Sequence, residues 1–271
     1  MTITEPLSGA SARYGDPDLA LTLTNDVLDL QLAHRSVRRF LPEQVGDAEL
    51  TALVAAAQSS PTSSNTQVTS VVAVRDPERK ARLAQLTKGN AFIAEAPLFL
   101  VWVADLSRAR RLAERAGTVV EATDYLETTL IGFVDTALAV QGAITAAESL
   151  GLGTCCVGGV RNSPIEIAEE LGLPEGCFPV VGLAVGRPDP AEQAGVKPRL
   201  PQSVVLHHEQ YDADDATAIE AYDERAAAYN ASYGLTGAWR ERVLARLAGP
   251  QSMVGRQAMR SWLEQRGLLS R

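Results

Sequence analysis

Residues 151–162 read GLGTCCVGGVRN, and this stretch decides between two kinds of architecture. It carries four glycines directly after a long apolar run. A dinucleotide-binding turn needs G-x-G-x-x-G between a strand and a helix, so that backbone amides meet a pyrophosphate at the helix N-terminus. Here the glycines fall in another order, and the segment follows a helix rather than a strand. The doubly wound dinucleotide fold is therefore set aside. Gly158–Gly159 leaves two readings open: a tight strand entry, or backbone that approaches a flat ligand and keeps an amide free to donate.

Upstream, Leu130–Ala147 (LIGFVDTALAVQGAITAA) has the length of a membrane span. It contains Asp135, which insertion would bury at a cost of about 2.5–3.5 kcal/mol, and no Lys or Arg flanks it. A helix of about Tyr125–Leu150, buried all round in a soluble protein or dimer and stopped by Gly151, fits better. Downstream, Ser163-Pro164-Ile165-Glu166 has the form of a capping box. Its helix closes at Leu171–Gly172, before a buried strand over 178–185.

Nearer the N-terminus, apolar runs predict strands over 71–74 and 98–104. Asp76-Pro77 starts a helix that ends near Gly89. Helices are also predicted from Thr24 or Asn25 and from Asp47, the second with Leu50, Leu53, Val54 and Ala57 at helical spacing. The polar segment Ser59–Gln67 is a turn. The last 50 or so residues read as helices, with Trp239, Val243, Leu247, Trp262 and Leu263 on apolar faces. Strands alternate with helices without repeats or a linker, which gives an α+β or three-layer α/β reading. Residues 24–271 read as one domain, and 1–23, rich in Ser, Gly and Pro, as a flexible extension.

With 271 residues, 46% of them apolar, the chain can bury a substantial core and is not disordered. Its net charge of −8 argues against nonspecific nucleic-acid binding. Cys155 and Cys156 are adjacent and Cys177 is the third and last cysteine, so no disulfide framework is expected. His34, His207 and His208 lack metal-ligand spacing, so no metal is expected. No basic stretch followed by an apolar core opens the chain, and a cytoplasmic location is expected.

Two basic segments stand out in this acidic chain. HRSVRRF (34–40) sets Arg35, Arg38, Arg39, His34 and Ser36 near a helix end, and guanidinium forks bind phosphate in two-pronged fashion. VKPRLP (196–201) sets Lys197 and Arg199 about a stiffening proline. Each is either a solvated turn or half of an anion site, and the two together suit one phosphate. The cysteines have no histidine near them in sequence to make a nucleophile, and no Ser-His-Asp arrangement can be assembled.

HRSVRRF, PTSSNTQ, GLGTCCVGGVRN and VKPRLP, in this order over 34–262, resemble the FMN-dependent nitroreductase family. The nearest branch is that of the oxygen-insensitive NADPH nitroreductases and NADPH-flavin reductases. The resemblance implies a three-layer fold with a central mixed sheet flanked by helices, and an intertwined homodimer with two FMN molecules at its interface. It assigns Arg35, Ser36, Lys197 and Arg199 to the phosphate and ribityl tail, with His34 beside them. Arg38 goes to the N1–O2 edge of the ring and Asn90 to a ring hydrogen bond. Pro61, Thr62, Ser63 and Asn65 reach over from the partner subunit. Cys156, Val157, Gly158 and Gly159 line the ring, with an amide toward N5.

No protein side chain is implied as catalytic, because N5 of the flavin carries the chemistry. The implied reaction is a ping-pong, two-electron hydride transfer from NADPH or NADH to nitroaromatics, quinones or flavins. No arginine lies between Arg225 and Arg240, so the resemblance does not choose between the two nicotinamides. The alternatives are a dedicated dehydrogenase, a reductive dehalogenase, or a reductase that supplies reduced flavin to a monooxygenase. A small-molecule acceptor and a second copy are the expected partners, with no nucleic acid and no membrane.

Overall fold

A computed structural model describes residues 9–268. In chain order the helices and strands are α1 (Gly9–Tyr14), α2 (Asp26–Ala33), α3 (Asp47–Gln58), β1 (Thr69–Val74), α4 (Pro77–Leu86), α5 (Phe92–Glu95), β2 (Leu98–Asp105) and α6 (Ser107–Arg115). Then come α7 (Leu126–Ser149), β3 (Gly153–Val157), α8 (Pro164–Glu170), β4 (Cys177–Gly186), α9 (Gln202–Val205), α10 (Ala216–Ser232), α11 (Trp239–Leu247) and α12 (Met259–Gln265). The chain forms two compact units. One runs from Ser36 to Glu192 and resumes at Val254; the other joins residues 9–35 to Gln193–Met253.

In the larger unit the strand order is β1-β2-β4-β3. Every residue of β2 is buried, and its side chains alternate between two cores. Leu98, Leu100 and Trp102 pack with Leu53 and Ala57 of α3 and with Ala139, Val140 and Ala143 of α7. Phe99, Val101 and Val103 pack with Leu83 of α4, Ile93 of α5 and Ile167 of α8. Helices thus cover both faces, which makes the three layers. A bulge at Trp102/Val103 accommodates Pro179, a residue that cannot donate to a strand ladder.

The expected mixed sheet is antiparallel at all three strand pairings. Among the described residues, parallel geometry is confined to the bridge Ser36–Thr154. Alternation of helices and strands permits parallel crossovers without requiring them, and here α4 and α5 return the chain so that β2 runs against β1.

α7 is the one helix among the described residues long and apolar enough to cross a membrane. It packs closely against its neighbours instead. A Cβ at Gly142 would lie 2.8 Å from Ser60 Oγ and 2.9 Å from the Ala56 carbonyl, so the glycine lets α3 approach. Asp135 is buried and accepts from Thr62 Oγ1 (2.6 Å) and the Ser63 N–H (3.2 Å), which answers the cost of its burial. Leu126, Leu130, Val134 and Leu138, four residues apart, form an exposed apolar stripe on α7.

Helix starts are mostly as read. Asn25 accepts from the N–H groups of Val27 and Leu28, and Asp76 from that of Arg79. The capping box at Ser163 does not form. Ser163 has ψ 62°, away from the extended conformation in which a cap side chain reaches back, and makes no side-chain cap bond; Pro164 does occupy the first helical turn. The stretch 153–157, for which no strand is predicted, is a full strand, β3.

The smaller unit holds α1, α2, α9, α10 and α11. α1 lies where only an extension was expected. Its Arg13 is buried, and this anchors the helix. Tyr222 and Trp239 meet edge to face at 5.4 Å, joining α10 to α11. Leu247, expected on an apolar face, is exposed, as is Leu244.

Candidate functional site

The expected site residues fall in both units. In the smaller one, His34 and Arg35 at the end of α2 are half-buried, while Lys197 and Arg199 are exposed on either side of buried Pro198. The backbone under the basic pair is held by several hydrogen bonds. Tyr229 Oη donates to the Gly195 carbonyl (2.9 Å) and Tyr222 Oη to that of Pro198 (3.1 Å). The Arg199 N–H donates to the Arg13 carbonyl (2.8 Å). The Arg13 guanidinium donates to the carbonyls of Lys197 (3.1 Å), Leu32 (3.0 Å) and His34. The two basic segments, more than 150 residues apart in sequence, therefore meet at one side chain. An open cavity of about 770 Å³ is lined by Tyr14, Lys197, Arg199, Leu206, Tyr222 and Trp239.

In the larger unit, Ser36 bridges Thr154, and the Val37 N–H donates to the Thr154 carbonyl (2.8 Å), which lays this segment along the edge strand β3. The exposed Arg38 is fixed through its backbone, where its N–H donates to Glu192 Oε1 (2.8 Å). Arg39 pairs with Asp189 at 2.7 Å. A Cβ at Gly159 would come within 2.6 Å of Asn90 Nδ2 and 2.9 Å of the Thr87 carbonyl, so this glycine is required by the loop that carries Asn90. At Gly158 a Cβ would stand 3.2 Å from the Arg161 guanidinium. Asn162 ties the same loop by donating to the Thr87 carbonyl (2.8 Å) and accepts from Arg256 Nε (2.8 Å). Ser36, Arg38, Asn90, Cys156, Val157, Gly158 and Gly159 thus gather about β3 and the turn after it.

Pro61, Thr62, Ser63 and Asn65 do not join them. They dock on α7 through Asp135, in the α3/α7 layer, whereas the Asn90 loop packs in the α4/α5 layer across the sheet. Asn65 and Gln67 have positive φ, which fixes a tight polar loop. A second cavity, of about 550 Å³, is lined by Pro61, Thr62, Asn65, Trp102, Arg108 and Asp135. The Trp102 indole N–H is buried there without a hydrogen-bond partner.

The thiols are poorly disposed to act as nucleophiles. Burial raises the Cys155 pKa, and the Arg38 charge only partly opposes this. Cys156 is pushed up to about 11 by desolvation, with Cys155 and Glu148 adding to it. Among the described residues no cluster of His, Cys, Asp or Glu is arranged to hold a metal.

Residues 32–187 match the model of the nitroreductase family, and 197–271 match that of the nitroreductase family C-terminal domain. The chain belongs to the nitroreductase family. It is 42% identical over 208 residues to an FMN reductase [NAD(P)H] of Bacillus subtilis, covering 76% of this chain and 83% of the relative. It is 36% identical over 250 residues to an NADPH-flavin oxidoreductase of Vibrio harveyi, covering 91% of this chain and all of the relative. Among solved structures, B. megaterium NfrA2 superposes with TM-score 0.85 at 37% identity, over 90% of this chain and 98% of that one. The Vibrio harveyi NADPH:FMN oxidoreductase complexed with NAD+ superposes with TM-score 0.81 at 35% identity, over 91% of this chain and all of that one.

Sequence reading missed several residues of this nitroreductase's candidate site. Arg13 binds carbonyls far from it in sequence, and nothing local to SARYG announces them. Asp135 was noticed only as a misfit in an apolar helix, and that misfit was its signal: a buried carboxylate needs donors. Glu192, Tyr222 and Tyr229 carry no motif.

Proposed function

We propose that the chain is an FMN-dependent NAD(P)H oxidoreductase that reduces small electrophiles such as nitroaromatics, quinones or flavins, with nicotinamide and acceptor using one pocket in turn. The observation that carries this reading is the full-length match to an NADPH-flavin oxidoreductase. The donor set fits the cofactor. Lys197 and Arg199 are exposed cations on a backbone already satisfied by hydrogen bonds, which suits a phosphate dianion.

In this reading His34, Arg35, Lys197 and Arg199 hold the phosphate end, and Ser36 serves the same tail. Arg38 places positive charge where the ring gathers negative charge. Asn90 and the amides of Cys156, Val157, Gly158 and Gly159 orient the ring edge. Bound FMN supplies the two-electron hydride chemistry. The protein's own part is to bind, to orient and to set the field. The thiol of Cys156, its pKa pushed up to about 11 by desolvation, stays protonated at neutral pH and takes no covalent part.

The active form in this proposal is a homodimer in the cytoplasm, with residues 24–271 acting as one FMN-binding domain. Three features support the dimer: the exposed stripe Leu126–Leu130–Val134–Leu138, the unpartnered Trp102 N–H, and the separation of Pro61–Asn65 from the Asn90 loop by the sheet. A second copy would cover the stripe and receive the Pro61, Thr62, Ser63 and Asn65 loop.

The test is the visible spectrum of the purified protein, followed by anaerobic addition of NADPH and, separately, NADH. Flavin bands that bleach within seconds support the reductase reading and rank the two donors. Bands that persist with both point to a dedicated dehydrogenase. A protein that stays colourless with added FMN defeats the proposal.

A further inference from the structure

Arg13 sits ahead of the part of the chain that matches the family model, which begins at residue 32. It is 7% exposed, and a buried guanidinium is tolerated only where its N–H groups are satisfied. Hydrogen bonds from those groups reach three backbone carbonyls. Nε and Nη2 donate to the Leu32 carbonyl (3.2 and 3.0 Å), Nη2 also to the His34 carbonyl, and Nη1 to the Lys197 carbonyl (3.1 Å).

Two consequences follow. First, α2 has no basic residue in its own last turn, so Arg13 supplies the cation that the final carbonyls of a helix favour. Second, Arg13 grips Lys197–Pro198–Arg199 at both ends, since its side chain binds the Lys197 carbonyl and its carbonyl accepts the Arg199 N–H. Pro198 has no N–H to satisfy, and its carbonyl is taken by Tyr222. At Gly15, just after α1, an added Cβ would stand 3.3 Å from Pro198, so the chain leaving α1 also presses on the proline.

We propose that Arg13 is a positioning residue. It locks the end of α2 to the Lys197–Arg199 segment, so that these two cations and Arg35 present a pre-formed seat for the terminal phosphate of FMN. The N-terminal segment is then part of the cofactor site rather than an appendage. The inference rests on the FMN reading above. Its energetic basis is pre-organisation: a phosphate binding to fixed cations does not have to order them first.

The experiment compares FMN with riboflavin, which has the ring but not the phosphate, by quenching of flavin fluorescence on the full chain. The wild type is expected to prefer FMN strongly. Arg13→Ala is expected to weaken FMN binding by roughly tenfold or more, the scale of losing a charge-assisted arrangement, and to leave riboflavin binding unchanged. Arg13→Lys keeps the charge without the three-way fork and guards against a misfolded Ala variant. It is expected to lose most of the preference as well.

An Arg13→Lys protein that folds and keeps the wild-type ratio overturns the proposal. So does an Arg13→Ala protein that only melts at a lower temperature while its ratio stays intact, because that is a merely structural role. The Lys197→Ala/Arg199→Ala double variant separates the two readings. If the preference survives that double change, or if the wild type shows no preference or no FMN binding, the phosphate reading itself fails and the proposal falls with it. If the double variant loses the preference and Arg13→Ala keeps it, only the proposal fails.

Discussion

β2 and the Lys197–Arg199 segment are held in place by opposite means. All eight residues of β2 are buried, and its position follows from apolar contacts on both faces. The Lys197–Arg199 segment exposes its two charged side chains and is positioned through the Lys197 and Pro198 carbonyls, which Arg13 and Tyr222 hold, and through the Gly195 carbonyl just before it, which Tyr229 holds. Apolar contact is non-directional and tolerates repacking, whereas each of these hydrogen bonds is directional and ties a particular donor to a particular carbonyl. The contrast teaches that the core sets where the elements lie, and that a few directed bonds set where the charges point. Both claims can be broken separately.

The largest effect belongs to the core. Phe99→Ala removes a fully buried ring from the heart of β2 and is expected to cost about 3–5 kcal/mol by urea unfolding. A cost below about 1 kcal/mol, as for a surface site, would mean that apolar burial does not carry the larger unit.

Next is Asp135, the polar exception in the helix that covers β2. Asp135→Ala leaves Thr62 Oγ1 and the Ser63 N–H without their acceptor, at a cost of about 1–3 kcal/mol. Limited proteolysis is expected to cut within 60–67 in the variant before it cuts elsewhere. If that loop stays resistant, Asp135 does not hold it.

A smaller change tests the directed bonds. Tyr222→Phe deletes only the hydroxyl that donates to the Pro198 carbonyl, so stability should fall by about 0.5–1.5 kcal/mol. FMN affinity should fall with it while riboflavin affinity does not. Equal losses for both ligands would put the tyrosine's role in general stability instead.

The same contrast explains what was legible. Features resting on local periodicity or burial could be read directly: the strands around Val71 and Leu98, the length of α7, the caps Asn25 and Asp76. β3 was hidden because TCCV, five residues with its glycine, is too short to show a period and is an edge strand whose Cys156 faces out. Ser163 kept the capping letters without the backbone angle, which tertiary packing sets. In the candidate site, residues with recognisable chemistry could be named from the sequence, and those that hold their backbone could not. Arg13 and Tyr222 act on carbonyls, and every residue has one, so no local pattern marks which carbonyl is chosen.

The smallest expected effect is a slope, and it concerns a place where directed bonds serve the core unit. Asp105 ends β2 and is buried. Burial by itself would raise its pKa, but hydrogen bonds from Ser107 (2.5 Å), Ser70 (2.6 Å) and Cys177 (3.1 Å), with the Arg108 charge, outweigh it and hold the carboxyl below its ordinary 3.8. A carboxyl whose pKa is depressed on folding adds stability that is present in full above the unfolded value. That stability is lost as pH falls through the folded value. Wild-type stability should therefore decline as pH drops below about 4, and Asp105→Asn, which cannot titrate, should flatten that part of the curve. Urea midpoints measured from pH 6 down to pH 2.5 decide it. Parallel curves for the two proteins would mean that Asp105 is held no more tightly in the folded chain than in the unfolded one. Its ring of donors would then be packing and not charge stabilisation.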